Sequence, residues 1–441
     1  MMANKRSRIG TRAGGVQPLA ELLAEQSPAR RRERQHGDRI SFAGDWPEEG
    51  IPSVRRAITE AILTEESDTE AIATEASDTE AIATEAADSA LGRPGGEAAD
   101  EDRPAPSASE RLRELLAERL AGHGLPVEAG NLAISPQGEP VLAWIARGLL
   151  RPGDAVLVET PAPPACLQAF RSAGAVVVHV PCDEHGIRPE AAERLAEAHR
   201  PKFAHVMPAL GHPAGGVWSE SRREALLDVG RRCGMLLLED DAYGELRYGE
   251  AERGRSLFAM SADAAGGGVI YAGTFAAALG PELSVGWAAA EPGLLARLDA
   301  APRTPASASN AGAHAEEALL RLLAGGGLDE LLRQLSLTYK ERMYRLDALL
   351  RERNWIDAGA SWTVPKGGPF LWLELPEGLD AEALLRAAEA NGVAFDPGTP
   401  FYAADPPRNR LRLSVAGTAG DRLGEGVARL AEAVEAFLAR S

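Results

Sequence analysis

The chain has 441 residues, 45% of them apolar, which is enough for a large interior but too long for one compact core, so two globular parts plus irregular segments are expected. Its formal net charge of −18 argues against nucleic acid and against anionic membrane surfaces as partners, although thirteen acids and one base within 64 to 102 supply −12 of that total. Cys166, Cys182 and Cys233 show no paired spacing, no apolar stretch follows Met1-Met-Ala-Asn-Lys-Arg6, and no apolar run approaches ~20 residues, so the reading is a cytoplasmic chain with no metal site and no membrane span.

Residues 1 to 63 read as an N-terminal arm and first helix. Val16 to Glu25 has a helical apolar spacing, Arg30-Arg-Arg-Glu-Arg34 reads as a solvated basic arm, and Ile40-Ser-Phe-Ala-Gly-Asp-Trp-Pro47 as an extended segment closing into a turn. From Thr59 the tetrapeptide Thr-Glu-Ala-Ile recurs at Thr69 and Thr79. Ten helical steps turn through about 1000°, so Ile62, Ile72 and Ile82 drift by some 80° per repeat and make no sustained apolar stripe. Together with the Gly/Pro/Asp-rich stretch Gly92 to Pro106, this makes 64 to 108 an acidic low-complexity insertion, expected to be disordered; a frayed surface helix is the alternative.

Ser109-Glu-Arg-Leu-Arg-Glu-Leu-Leu-Ala-Glu-Arg-Leu120 predicts an amphipathic helix with a capping serine. Strands are then expected at 132 to 134, 155 to 158, 176 to 180, 203 to 207 and 235 to 238, alternating with helices at 139 to 149, 164 to 172, 189 to 198 and 219 to 232. That alternation gives right-handed βαβ units and an α/β domain with a mostly parallel sheet, to which Gly268 to Gly273 and Ser284 to Ala289 add two strands. A helix-rich connection at 309 to 353, broken at Gly325-Gly-Gly327, leads into strand signals at 370 to 375 and 411 to 415 and helices at 380 to 391 and 420 to 438. The expected division is a large α/β domain at 109 to 300 and an interdomain helix with a small α+β domain at 301 to 441.

Leu236-Leu-Leu-Glu-Asp-Asp-Ala-Tyr243 is a short apolar run ending in three carboxylates, the pattern of a buried parallel strand opening onto a site. Asp240 and Tyr243 together have the chemistry to pair with a protonated ring nitrogen and a ring oxygen of one planar cofactor. The alternative is that Asp240 caps the next helix and Tyr243 packs.

The order of motifs resembles the fold-type I pyridoxal-phosphate aminotransferases of class I/II, in the branch of the 2-aminoadipate aminotransferases and the C-terminal halves of MocR-type regulators. The resemblance covers 40 to 63 and 109 to 438 and rests on Arg151-Pro-Gly-Asp154, Glu239-Asp-Asp-Ala-Tyr-Gly-Glu-Leu-Arg-Tyr248, Pro365-Lys-Gly-Gly-Pro-Phe-Leu-Trp372 and Leu411-Arg-Leu-Ser-Val415. It implies pyridoxal 5'-phosphate as cofactor, with Asp240 on the pyridine nitrogen, Tyr243 on the ring oxygen, Thr274 on the phosphate and Arg412 gripping a substrate α-carboxylate through its planar fork. An amino acid or oxo acid is the implied ligand, and a homodimer, or a heterodimer with an active homologue, the implied assembly.

The departures from the family pattern fall on the chemistry. In Gly273-Thr-Phe-Ala-Ala-Ala-Leu-Gly-Pro-Glu-Leu-Ser-Val-Gly-Trp287, Ala277 stands where the family has its Schiff-base lysine and Ser284 where it has a phosphate-binding arginine. A methyl group forms no imine and moves no proton. Pro136-Gln-Gly-Glu-Pro-Val141 replaces the family's phosphate cradle and brings the carboxylate of Glu139 there; Pro163 replaces a stacking tyrosine, and His212 replaces the asparagine supporting the ring oxygen. The chain has four lysines, Lys5, Lys202, Lys340 and Lys366, and only Lys366, in the Pro-Lys-Gly-Gly turn, falls near the expected pocket. The expectation is a pseudo-aminotransferase; an active transaminase with a non-standard site, or a non-catalytic subunit beside an active homologue, are the alternatives. DNA binding needs a winged helix-turn-helix domain that forty leading residues cannot supply.

Overall fold

Ala-Val-Leu-Val-Glu at Ala155–Glu159 and Phe-Ala-His-Val at Phe203–Val206 are buried at every position, which a strand achieves only when both faces of its sheet are covered. The computed structural model describes residues 39–45, 107–136, 139–249, 254–263, 268–302, 310–353 and 355–438. The helical pattern at 16 to 25, the arginine cluster at 30 to 34 and the acidic repeat up to residue 106 lie outside them.

The strands are β1 (Ile40–Phe42), β2 (Leu132–Ile134), β3 (Ala155–Glu159), β4 (Val176–Val180), β5 (Cys182–Asp183), β6 (Gly186–Ile187), β7 (Phe203–Val206), β8 (Leu236–Asp240), β9 (Val269–Thr274), β10 (Gly286–Ala289), β11 (Ser361–Trp362), β12 (Phe370–Glu374), β13 (Val393–Pro397) and β14 (Arg410–Ser414). The α-helices are α1 (Ala108–Gly122), α2 (Val141–Leu149), α3 (Pro164–Ser172), α4 (Pro189–His199), α5 (Glu220–Cys233), α6 (Leu257–Asp263), α7 (Ala276–Leu279), α8 (Pro292–Asp299), α9 (Asn310–Ala324), α10 (Gly327–Arg351), α11 (Ala381–Ala390) and α12 (Leu423–Leu438).

Seven strands make the larger sheet in the order β2-β10-β9-β8-β7-β3-β4. β4, β3, β7, β8 and β9 run parallel, as the βαβ alternation requires, and β10 is antiparallel to both of its neighbours. The smaller sheet has the order β1-β13-β14-β12-β11. Its edge strand β1 comes from the N-terminal segment and pairs in parallel with β13, Phe42 opposite Phe395. Nothing in the local sequence of Ile40–Phe42 announced that partner, because its register is set by residues far along the chain.

Proline at the first turn of α3 and of α4 and glycine in the left-handed C-cap of α5 punctuate the larger layer. The cap of α1 is Ser107, not Ser109: its hydroxyl accepts the Glu110 N–H at 3.3 Å while Glu110 returns a carboxylate oxygen to the Ser107 N–H at 2.8 Å, a closed capping box. Ser109 lies two residues further on, already inside the first turn.

One apolar cluster links the two sheets, running from Leu157 and Leu237 through Leu335, Tyr339 and Leu346 of α10 to Leu371 and Leu411. β1 closes that cluster by laying Phe42, fully buried, against Gly426 of α12, where an added Cβ would sit 2.6 Å from the ring. A second cluster, with Trp144, Phe170, Phe203 and Ile270, fills the other face of the larger sheet.

Candidate active site

The carboxyl ends of the parallel strands bring the first candidate residues together. Asp240 ends β8, and His205 lies two residue pairs back on the same face of β7, so the His205 imidazole donates Nε2–H to Asp240 Oδ2 at 3.0 Å. The other Asp240 oxygen accepts the Ala242 N–H at 3.2 Å. Asp240 therefore does not cap the next helix; it is held rigidly by a fully buried histidine whose Nδ1 has no partner. Beside them Glu159 ends β3, and burial pushes its carboxyl up to about 7, with the charge of His205 opposing the rise. His205 was missed in the sequence, although a lone histidine inside the apolar run Phe203–Val206 is the signal that marks it.

Tyr243 lies three residues beyond Asp240 and packs against His212, ring centroids 5.3 Å apart, and against Phe370 at 5.4 Å. Burial, with Asp45 nearby, raises its phenol well above the ordinary tyrosine range, so it stays a neutral hydroxyl. The Pro365-Lys-Gly-Gly turn seals this corner by bonding to the segment after Tyr243: Gly368 N–H to the Leu246 carbonyl at 2.8 Å, and Tyr248 N–H to the Lys366 carbonyl at 2.9 Å. Lys366 itself is exposed to solvent.

Arg412, in β14 of the smaller sheet, meets His212 across the cleft. One Nη1 proton goes to His212 Nε2 at 2.6 Å, which requires the neutral imidazole; burial and then Arg412 itself hold His212 well below the usual histidine range. Opposite Arg412 in the antiparallel pair stands Asp396, and its Oδ2 accepts both Nε–H (3.1 Å) and Nη2–H (2.6 Å). Asp45, just past β1, brings Oδ1 to 2.5 Å from Nη1 as an ion pair. Phe370 and Phe401 cover the guanidinium faces at 4.1 and 5.1 Å. Burial works against the charge of Arg412, but the two carboxylates outweigh it and hold its pKa above the ordinary arginine value.

The remaining candidates are engaged locally. The Thr274 hydroxyl donates to the Val285 carbonyl at 3.1 Å and accepts the Ala276 N–H at 3.1 Å, stitching β9 to the turn before β10. Ala277 is buried on the short α7, Ser284 is half-buried before β10, and Pro163 is buried at the cap of α3. Glu139 is buried and turned along α2 to a two-pronged ion pair with Arg147, the Nη2 contact at 2.7 Å, so it is not a lone charge at the helix start. The cavity between His212, Tyr243, Gly367, Gly368 and Phe370 measures about 10 Å³. That is the space of a single water, where sites for small organic molecules run to about 300–1,000 Å³.

His212, Tyr243 and Arg412 are thus brought into one cluster, and Asp240 and Thr274 lie on the neighbouring strands β8 and β9. Asp45, Asp396 and Arg147 were not foreseen. Asp396 directly precedes the turn-forming pair Pro397-Gly398, and nothing near Asp45 names its partner. Among the described residues no helix is long and apolar enough to cross a membrane, and no group of three His, Cys, Asp or Glu side chains is arranged for a metal ion.

Residues 80–430 match the family model described as aminotransferase class I and II. The chain is 36% identical over 332 residues to a 2-aminoadipate transaminase of Thermus thermophilus, covering 74% of this chain and 80% of that protein. It is 32% identical over 330 residues to aromatic-amino-acid aminotransferase 1 of Thermococcus litoralis, covering 74% and 76%. A crystal structure of Thermus thermophilus alpha-aminoadipate aminotransferase, complexed with N-(5'-phosphopyridoxyl)-L-leucine, superposes with a TM-score of 0.74 at 30% identity over 94% of this chain and 96% of that one.

Proposed function

Since the chain belongs to the aminotransferase class I and II family, we propose that it is a member without transaminase turnover of its own, a pseudo-aminotransferase on the fold-type I scaffold. The observation that carries this reading is Ala277: the position that the family gives to its imine-forming lysine is a buried methyl group on α7. The lysines among the described residues offer no replacement. Lys202 sits at 3.7 Å from Asp154, at the opposite ends of the strands, Lys340 lies on α10, and Lys366 points to solvent.

Pyridoxal phosphate is the cofactor of this family, and the residues of this chain fit only part of it. Asp240 and Tyr243 supply the ring-nitrogen and ring-oxygen partners. The imine has no amine, Ser284 replaces the phosphate arginine, the Thr274 hydroxyl is already bonded within its own turn, and the space beside Tyr243 and His212 is about 10 Å³. A covalently held cofactor does not fit. Losing the lysine removes general acid–base catalysis worth about 10²–10⁴ in rate, besides the covalent route itself.

The test is an absorbance spectrum of purified protein with added pyridoxal phosphate, followed by borohydride and mass spectrometry. The expected result is no visible aldimine band and no adduct on any lysine. An adduct on Lys366 accompanied by steady amino-group transfer would overturn the proposal in favour of an active enzyme with a displaced lysine.

A further inference from the structure

Arg412 is the residue that the family resemblance makes a carboxylate grip, and this inference rests on that reading. In this chain its donors are already committed. Nε and Nη2 converge on Asp396, and Nη1 faces both His212 and Asp45. A bidentate carboxylate needs two parallel N–H groups on one edge of the fork, and neither edge is open.

The three acceptors are not equally fixed. Asp396 is set opposite Arg412 by the strand register, and its Oδ2 takes a third donor, the Gly44 N–H, at 3.1 Å. His212 is a buried ring in contact with Tyr243, Phe370 and Phe401. Asp45 belongs to no strand, its side chain is 42% exposed, and its close approach to Nη1 lacks hydrogen-bond alignment, so Oδ1 has no hydrogen-bond partner. Its Oδ1 is buried against the guanidinium, so its hold is Coulombic without hydrogen-bond geometry, and no strand register fixes it as the register fixes Asp396.

Charge points the same way. With His212 neutral, one guanidinium faces two carboxylates, and an arriving anion meets a net negative cluster unless one of them leaves. We propose that Asp45 is a built-in occupant of the Arg412 grip, and that small organic carboxylates reach Arg412 only by displacing it. Asp396 is then a positioning residue that fixes the plane of the fork, and Asp45 sets how strongly the site accepts an α-amino or α-oxo acid.

The experiment compares the full chain with Asp45→Asn, which keeps the shape and removes the charge, and Asp45→Ala, which opens a space the size of a carboxylate. The probes are 2-oxoglutarate and acetate, with methylammonium chloride at matched ionic strength as control, read by equilibrium dialysis and thermal shift. Both variants should bind 2-oxoglutarate about tenfold more tightly than the parent, since placing like charges together at a binding site is costly. Acetate should stabilise Asp45→Ala against heat and leave the parent unmoved, and methylammonium should do neither. Adding Arg412→Lys to Asp45→Asn should remove the gain. Equal affinity in parent and variants, no binding by any of them, or a gain that survives Arg412→Lys would overturn the proposal; if Asp45→Ala does not fold, Asp45→Asn decides alone. Turnover is not the readout, so an active wild-type chain would refute the pseudo-aminotransferase reading without touching this one.

Discussion

Replacing Glu159 by glutamine isolates one buried charge. Its carboxyl lies out of water at the end of β3, one oxygen has no partner, and burial raises its pKa from 4.5 to about 7. At 1.36 kcal/mol for each pH unit, that rise corresponds to roughly 3 kcal/mol. Between pH 4.5 and 7 the folded chain keeps a proton that the unfolded chain has released, so stability falls as pH climbs through that window and the full cost is present above it. Glutamine is neutral throughout. Allowing about 1 kcal/mol for a new amide N–H without a partner, Glu159→Gln should stabilise the chain by about 2 kcal/mol at pH 8 and leave it unchanged or slightly weaker at pH 5. Urea unfolding followed by far-ultraviolet circular dichroism at the two pH values measures the difference. An identical offset between variant and parent at pH 5 and pH 8 would refute the assignment. Glu239, also raised to about 7, is the wrong place for this test, because it accepts the N–H groups of Leu257 and Phe258 at the start of α6.

Three further outcomes follow from the packing. Ala277→Lys with Ser284→Arg returns the amine and the phosphate arginine to a scaffold that keeps Asp240 and Tyr243, so adding pyridoxal phosphate should give at least a visible aldimine band; no band would mean that the pocket itself has been lost. Ser107→Ala removes the hydroxyl half of the α1 capping box, leaving the backbone N–H of residue 107 on Glu110, and should cost about 1 kcal/mol in urea unfolding; an unchanged midpoint would contradict the cap. Gly426→Ala would gain up to about 1 kcal/mol of helix propensity, but its methyl lands 2.6 Å from the Phe42 ring, so a net loss of about 1–3 kcal/mol is expected and a stabilised variant would mean that β1 does not dock there.

The parts of this fold that were legible are those fixed by neighbours in sequence. Buried apolar runs between helices gave β3, β7 and β8 within a residue or two, and Gly325-Gly-Gly327 marked the break between α9 and α10. What escaped was fixed at a distance. β13 was lost because Val393-Ala-Phe395 is short and runs into Asp-Pro-Gly, which reads as a turn; only β1 and β14 on either side make it a strand. The same holds at the site. Asp240, Tyr243, His212, Thr274 and Arg412 could be named from local motifs, but the roles of Asp45, Asp396, His205 and Arg147 exist only as pairings. A carboxylate's partner is a property of the fold, and one sequence carries no mark of it.

The pairing of β1 with β13 also sets a timetable. Gly44 and Asp396 touch across 352 residues of chain, and no helix or hairpin brings them close beforehand. During synthesis the strands and helices from α1 to α8 emerge together and pair mostly with near neighbours, so the larger sheet can form while the ribosome is still at work. β1 leaves the ribosome before all of them and must wait for Val393–Pro397, with Ile40 and Phe42 exposed in the meantime. Arg412 is made later still, and Asp45 reaches it only after β1 has docked. The arginine's last ion pair therefore serves as a seal on a finished molecule: a chain that stalls or is cut before β13 has a nearly complete larger sheet, an unpaired hydrophobic strand at its front, and nothing to hold that strand in place.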